Sequence, residues 1–150
     1  MPKAALRLVQ RSSYTQSISS NCADGLWNTP GHLKAHIYDF YAIDFDPCPV
    51  NPTFDGLDID WGERNFCNPP FYETERWIKK IIQEQEKGRM TVLLIPARTC
   101  THYFHELVLP NVSEIVFVKG RVRYVNQDGS RNGASPWPTI LCIFRPKSSP

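Results

Sequence analysis

The sequence predicts an α/β domain with a mixed sheet that ends in an antiparallel edge. Three observations carry that expectation. "MTVLLIPA" (90–97) is a continuous apolar run of the kind buried on both faces of a sheet. Residues 73–87 before it carry Trp77, Ile78, Ile81 and Ile82 as one helical stripe among Glu and Lys, with Gly88 as a stop. After it, "EIVFV", "RVRYV" and "TILCIF" follow one another without intervening helices, as strands of an antiparallel edge do.

Taken in order, residues 1–25 read as a polar, loosely ordered arm, and 26–147 as a single domain. Thr29 suits a helix N-cap with Pro30 at the first helical position, and Leu33, Ile37 and Phe40 recur at helical spacing. "YAIDF" reads as a short strand closed by Pro47. Residues 50–62, rich in Pro, Asn, Asp and Gly, read as loop. "NFC" is a strand closed by Asn68-Pro69-Pro70. "THYFHELVL" (101–109) is a short helix stopped by Pro110. "EIVFV" and "RVRYV", on either side of Lys119-Gly120, read as a hairpin or one bent strand, and 126–138 as a turn-rich loop.

Composition narrows the class. At 150 residues and 41% hydrophobic, the chain can bury a core. It holds no apolar run near the roughly 18–20 residues that span a bilayer. Its basic start turns Ser-rich and polar, unlike a signal peptide. Five cysteines without a CxxC pair, with Cys67 and Cys142 inside apolar runs, point to free thiols and a reducing, cytoplasmic setting. The net charge of +2 conceals a split. Seven acidic residues and no Lys or Arg lie between Asp39 and Glu63, while six basic residues face one Asp between Lys119 and Lys147. The first segment suits a cationic small ligand and the second a polyanion.

The stretch Asn68-Pro69-Pro70-Phe71, between a strand and the best helix, offers specific chemistry. An amine on an aromatic ring is a poor nucleophile because its lone pair is delocalised. Two acceptors taking its N–H hydrogens favour the more tetrahedral geometry needed for attack. Asn68 offers a side-chain carbonyl, Pro69 a backbone carbonyl stiffened by Pro70, and Phe71 a face for a base outside the duplex. As ligands of open sheets lie at carboxyl strand ends, Asp44 and Asp46 could serve the ribose and ammonium of S-adenosylmethionine. Trp27, Thr29 and Pro30 would line its methionine end. The alternative is a rigid strand-to-helix turn without chemistry.

The ordered set Trp27-Asn28-Thr29-Pro30, Ile43 to Pro47, Asp55-Gly56-Leu57 with Trp61, Asn68 to Phe71, Leu94 to Thr99 and Gly120 to Tyr124 resembles the phage-type DNA N-6-adenine-methyltransferases, from about Trp27 to Phe144. The resemblance implies a minimal, compressed Rossmann-like fold using S-adenosylmethionine, in the cytoplasm of a bacterial or phage-infected cell. By position, Thr29, Pro30, Asp44 and Asp46 would face the cofactor, and Asn68, Pro69, Pro70 and Phe71 the adenine amine. Arg121 and Arg123 carry the similarity in the basic segment, where they, Lys119 and Arg131 would contact DNA phosphates.

The chain departs from the pattern in three places. Phe71 stands where Tyr is commoner, Cys100 where an acidic residue is expected, and little chain separates Asp46 from Asn68. With no separate recognition domain, sequence readout is left to loops such as 126–138, to a homodimer or to a partner subunit. Competing readings are methyl transfer to RNA guanine, cytosine or protein glutamine, and a silent nucleic-acid-binding relative. Cys100, His102 and His105, and the pair His32 and His36, complete no zinc spacing, so no metal is expected.

Overall fold

The computed structural model describes residues 5–9, 29–50, 52–125 and 131–148, with backbone alone for 5–9 and 131–133. Five strands form the main sheet in the order β1-β4-β7-β3-β2: β1 (Ala5–Val9), β2 (Arg64–Cys67), β3 (Met90–Pro96), β4 (Glu114–Val118) and β7 (Thr139–Phe144). β2 runs parallel to β3 and β1 parallel to β4. β7 lies between β3 and β4, antiparallel to both. The expected α/β class and mixed sheet are therefore present. The antiparallel strand lies inside the sheet rather than at its edge. Every residue of β7 is buried, as a strand covered on both faces must be.

The alternation of β3 explains the layers. Leu93 and Ile95 face one way, against Trp77, Ile78 and Ile81 of α2 (Thr74–Glu86), with Phe104 and Val108 beside them. Val92 and Leu94 face the other way, against Leu33, Ile37 and Tyr41 of α1 (Gly31–Tyr41). Helices thus cover both faces. The stripe read from the sequence is the buried face of α2, with Ile82 half-buried beside it.

Glu84 of α2 is wholly buried, and it is ringed by cations. Lys80 approaches at 3.0 Å, Lys87 at 3.3 Å, and Arg89 bonds its other oxygen. Burial pushes its carboxyl up, but the bonds from Lys80 and Arg89 outweigh that and hold it below the usual glutamate value.

Several expectations shift. β1 takes Ala5–Val9 from the predicted arm into the sheet, and 1–4 and 10–28 lie outside the described residues. α1 begins one residue late, with Pro30 rather than Thr29 as N-cap, because Pro30 is extended (ψ 136°) and Thr29 bonds elsewhere. "YAIDF" shrinks to one parallel bridge, Phe45 with Asn65, since left-handed Ala42 (φ 51°) closes α1 just before it. "EIVFV" and "RVRYV" are neither hairpin nor single strand. Gly120 (φ 77°) turns the chain away from β4, and β5 (Arg123–Val125) pairs with β6 (Arg131–Ala134) in a separate two-stranded sheet. That β6 lies within the expected 126–138 loop.

The 101–109 helix widens into a π-turn over Phe104–Val108, with Leu109 N–H bonding Phe104 carbonyl. It continues as α3 (Leu109–Asn111) past Pro110, whose ring nitrogen has no hydrogen to donate. Cys67 and Cys142 are buried free thiols, as expected. Among the described residues, no helix is long and apolar enough to cross a membrane.

Candidate active site

β2, β3 and β4 point the same way, so their carboxyl ends share one edge of the sheet. β2 runs out at Cys67 into Asn68. Pro69 and Pro70 are buried, and Pro70 caps a 3-10 turn over Phe71–Glu73 that leads directly into α2. The Pro70 carbonyl accepts Glu73 N–H at 3.0 Å, and Thr74 Oγ1 donates to Phe71 carbonyl at 2.9 Å. Two fixed φ angles and these bonds hold the turn rigid.

The Asn68 side chain is oriented from outside this turn. Its Nδ2 donates to Thr29 Oγ1 at 3.1 Å, which turns its carbonyl oxygen the other way. Thr29 and Pro30, at the entrance to α1, are therefore brought to the Asn-Pro-Pro-Phe turn. Phe71 is half-buried and meets Tyr124 edge-on, with centroids 6.1 Å apart. Tyr124 is fully buried, and burial raises its phenol well above the ordinary value. Tyr72, the next residue, is 70% exposed.

Of the acidic pair, Asp46 lies level with Phe66, towards the carboxyl edge, since Phe66 N–H bonds Phe45 carbonyl at 2.9 Å. Its carboxylate accepts Lys34 Nζ at 3.2 Å and Cys48 N–H at 2.9 Å, and the Tyr38 phenol also donates to it. Burial still raises its carboxyl above the usual aspartate value, against the lowering effect of these partners. Burial and the Asp46 charge push the Cys48 thiol up to about 12. Asp44 sits lower, level with Arg64, whose N–H it accepts at 3.2 Å, and it is exposed. Trp27 lies outside the described residues.

Residues 52–62 form a loop of turns that reaches back to this site. Asp55 Oδ1 accepts Leu57 N–H at 2.9 Å, and Trp61 Nε1 donates to Gly56 carbonyl at 2.6 Å. A Cβ on Gly56 would stand 2.0 Å from Pro47 carbonyl oxygen and 2.9 Å from Trp77. The Asp-Gly-Leu…Trp motif therefore packs the loop against Asp46-Pro47, where only glycine fits.

A small cleft of about 20 Å³ opens between the start of α1 and the chain leaving β4, lined by Pro30, His32, Leu33, Lys119 and Arg123 among others. Lys119 is exposed. Arg121 bonds Pro136 carbonyl and reaches Ser135 carbonyl at 3.3 Å. Arg123 is half-buried in β5, with its Nε enclosed and without a hydrogen-bond partner among the described residues. Arg131 lies on β6, paired with Val125 in backbone register. Lys119, Arg121 and Arg123 thus line a cleft together with Pro30, the residue after Thr29.

His102 pairs with Glu106 at 2.8 Å, and His105 Nε2 meets Thr99 carbonyl at 2.7 Å, both exposed on the helix. Among the described residues, no group of three His, Cys, Asp or Glu gathers to hold a metal. Sequence reasoning missed Tyr38 and Lys34, which hold Asp46. Their signal was helical spacing (i, i+4) on the α1 face opposite the acidic segment.

A DNA N-6-adenine-methyltransferase of Escherichia phage T1 is 26% identical over 107 residues, covering 63% of this chain. The matched part is 44% of that protein, so the chain corresponds to less than half of its length. No solved structure matches. Residues 16–150 match the family described as DNA N-6-adenine-methyltransferase (Dam), and the chain belongs to that family.

Proposed function

We propose that this protein transfers a methyl group from S-adenosylmethionine to the exocyclic amine of adenine in DNA, on a compressed Rossmann-like methyltransferase fold. The observation that carries the reading is the Asn68–Thr29 bond, which aims the amide of the Asn-Pro-Pro-Phe turn at the carboxyl edge. Family membership and the name of the phage relative support the same reaction.

The site fits the cofactor in donor type. S-adenosylmethionine, when bound, supplies an electrophilic methyl on a sulfonium. Asp46, held by Lys34 and Tyr38, offers a carboxylate beside that edge, and Pro30, next to Thr29, lines the cleft. Asp44, lower on the same segment, supports the Gly62–Arg64 chain: a Cβ on Gly62 would lie 2.4 Å from its Oδ1.

Asn68 Oδ1 and Pro69 carbonyl take the two N–H hydrogens of the target amine and favour positive charge on its nitrogen as attack proceeds. Of the two proline carbonyls, that of Pro70 is committed to the 3-10 turn. Phe71, braced by Tyr124, stacks on the flipped base. The amine nitrogen held by Asn68 and Pro69 would take up the methyl group that bound S-adenosylmethionine supplies, leaving a neutral thioether, and would then give one proton to water. Lys119, Arg121, Arg123 and Arg131 bind the phosphates. Target recognition falls to loops such as 126–138 or to a second subunit.

Labelled S-adenosylmethionine with mixed-sequence DNA, and in parallel with RNA, followed by nucleoside analysis, tests the reading. N6-methyladenine in DNA is expected. Label in guanine or cytosine, or in neither nucleic acid, contradicts it.

A further inference from the structure

Trp137 is 45% exposed, although a large aromatic ring is normally buried. It is also held firmly. Pro136 and Pro138 flank it in the sequence, its N–H bonds Ser135 Oγ at 3.2 Å, and Arg121 grips the Ser135 and Pro136 carbonyls. A loop this well fixed has no need to expose an indole for its own stability.

The placement is equally specific. β3 and β7 pair with Pro96 opposite Thr139, and Ala97 N–H extends the ladder to Pro138 carbonyl at 2.7 Å. The next facing pair is Arg98 and Trp137, and the Arg98 guanidinium lies over the indole, 5.1 Å from its centroid. Arg98 is fixed as well, since its carbonyl accepts Thr101 N–H at 3.2 Å and Thr101 Oγ1 at 2.7 Å. The pair therefore forms the tip of the sheet on the carboxyl edge, the edge that carries Asn68.

β7 lies two strands from β2. At about 4.8 Å per strand that sets the indole roughly 10 Å to the side of Asn68, and the register, with Cys67 opposite Leu93 and Pro96 opposite Thr139, sets it about four residues, roughly 13 Å, further along the strands. The two offsets together make about 16 Å; bases in a duplex rise about 3.4 Å per step, so this is roughly five base steps. A flat apolar face beside two guanidiniums, Arg98 and Arg121, matches a nucleobase beside its phosphates.

We infer that Trp137, backed by Arg98, is a DNA-contacting platform that stacks on a base within about five steps of the flipped adenine and fixes the duplex against the site. This rests on the proposed methyl transfer to DNA for its choice of nucleic acid. Phe71 serves the flipped base, and Trp137 serves a neighbouring step that opens to admit its ring.

The test uses the full chain with Trp137→Ala, Trp137→Phe and Arg98→Ala. Duplex affinity is read by fluorescence anisotropy, S-adenosylmethionine affinity by calorimetry, and folding by circular dichroism. Trp137→Ala is expected to weaken duplex binding about tenfold, with Trp137→Phe recovering to within about twofold and cofactor affinity unchanged. Arg98→Ala should weaken duplex binding less, because it removes the support and one charge.

Unchanged duplex affinity in Trp137→Ala overturns the inference. So does a loss of cofactor affinity in place of duplex affinity, which would put the indole against the cofactor's adenine. A wild-type protein that binds no duplex also overturns it. A wild type that binds duplex through Trp137 yet transfers no methyl group upholds the platform and removes the proposed reaction.

Discussion

Asn68 and Thr29, 39 residues apart in the chain, meet at 3.1 Å at the carboxyl edge of the sheet. The bond joins the end of β2 to the entrance of α1, and it sets which side of the Asn68 amide presents its oxygen. Thr29→Val keeps the volume and removes the acceptor. It should lower methyl transfer about tenfold, on the order of 1–1.5 kcal/mol for one neutral hydrogen bond, while duplex affinity stays unchanged. Single-turnover rates and anisotropy on the same duplex separate the two effects.

Asp46 is an acid kept at a cost. Its carboxyl is raised in the folded state, so the charged form is disfavoured there, and the penalty fades as pH falls through its folded value. Asp46→Asn removes the charge but retains two polar atoms. Its melting temperature should equal or exceed the wild type's at neutral pH, and its S-adenosylmethionine affinity should fall. Calorimetric melting and cofactor titration check both parts. A variant that melts lower and binds normally would make Asp46 purely structural.

Glu84 behaves in the opposite sense. Its folded pKa is depressed from 4.5, so its stabilisation is present above that value and is lost as pH falls through the folded one. Replacing it with Ala leaves Lys80 and Arg89 facing a buried gap. The cost should be about 2 kcal/mol, below the roughly 3–5 kcal/mol of a fully enclosed pair, because both cations reach water. Urea unfolding at neutral pH and at pH 3.5 reads this: the difference between wild type and Glu84→Ala should shrink in acid.

Gly56→Ala puts a methyl group 2.0 Å from Pro47 carbonyl oxygen, a distance no rotamer change relieves. Stability should fall by about 1–3 kcal/mol, as for overpacking elsewhere, and cofactor affinity should fall with it because Pro47 follows Asp46. Ser135 offers a contrast on the far side of the site, since its hydroxyl only orients Trp137 N–H.

Arg121 and Arg123 differ in setting, and the difference is testable. Arg121 spends part of its guanidinium on the 135–136 carbonyls, whereas Arg123 Nε is enclosed beside the cleft. Changing both to Ala should weaken duplex binding and reduce the slope of log affinity against log salt by up to about 2. An unchanged slope would remove this segment from the DNA face.

Much of this was legible in the sequence because it depends on local pattern. The α2 stripe, the all-apolar β3 and the Asn-Pro-Pro-Phe turn each declare themselves within a few residues. The position of β7 between β3 and β4 could not be read, because strand order is set by long-range pairing and an apolar hexapeptide fits any interior place. The Thr29–Asn68 bond was equally hidden. Locally, Thr29 looks like a cap, and only the folded chain shows its hydroxyl taken by another element. Asp44 and Asp46 read as a pair, yet two residues along an extended chain separate them by about 6–7 Å, enough to leave one near the edge and the other beside Arg64.

The most direct test of the central claim is Asn68→Ala, measured for methyl transfer to duplex DNA in a single turnover and for S-adenosylmethionine affinity in parallel. Transfer should fall to background with cofactor affinity within about twofold of wild type, a loss of 100-fold or more for an oriented acceptor at the reacting nitrogen. Transfer near the wild-type rate would contradict the role of the Asn68 amide, and with it the placement of the active site at the end of β2.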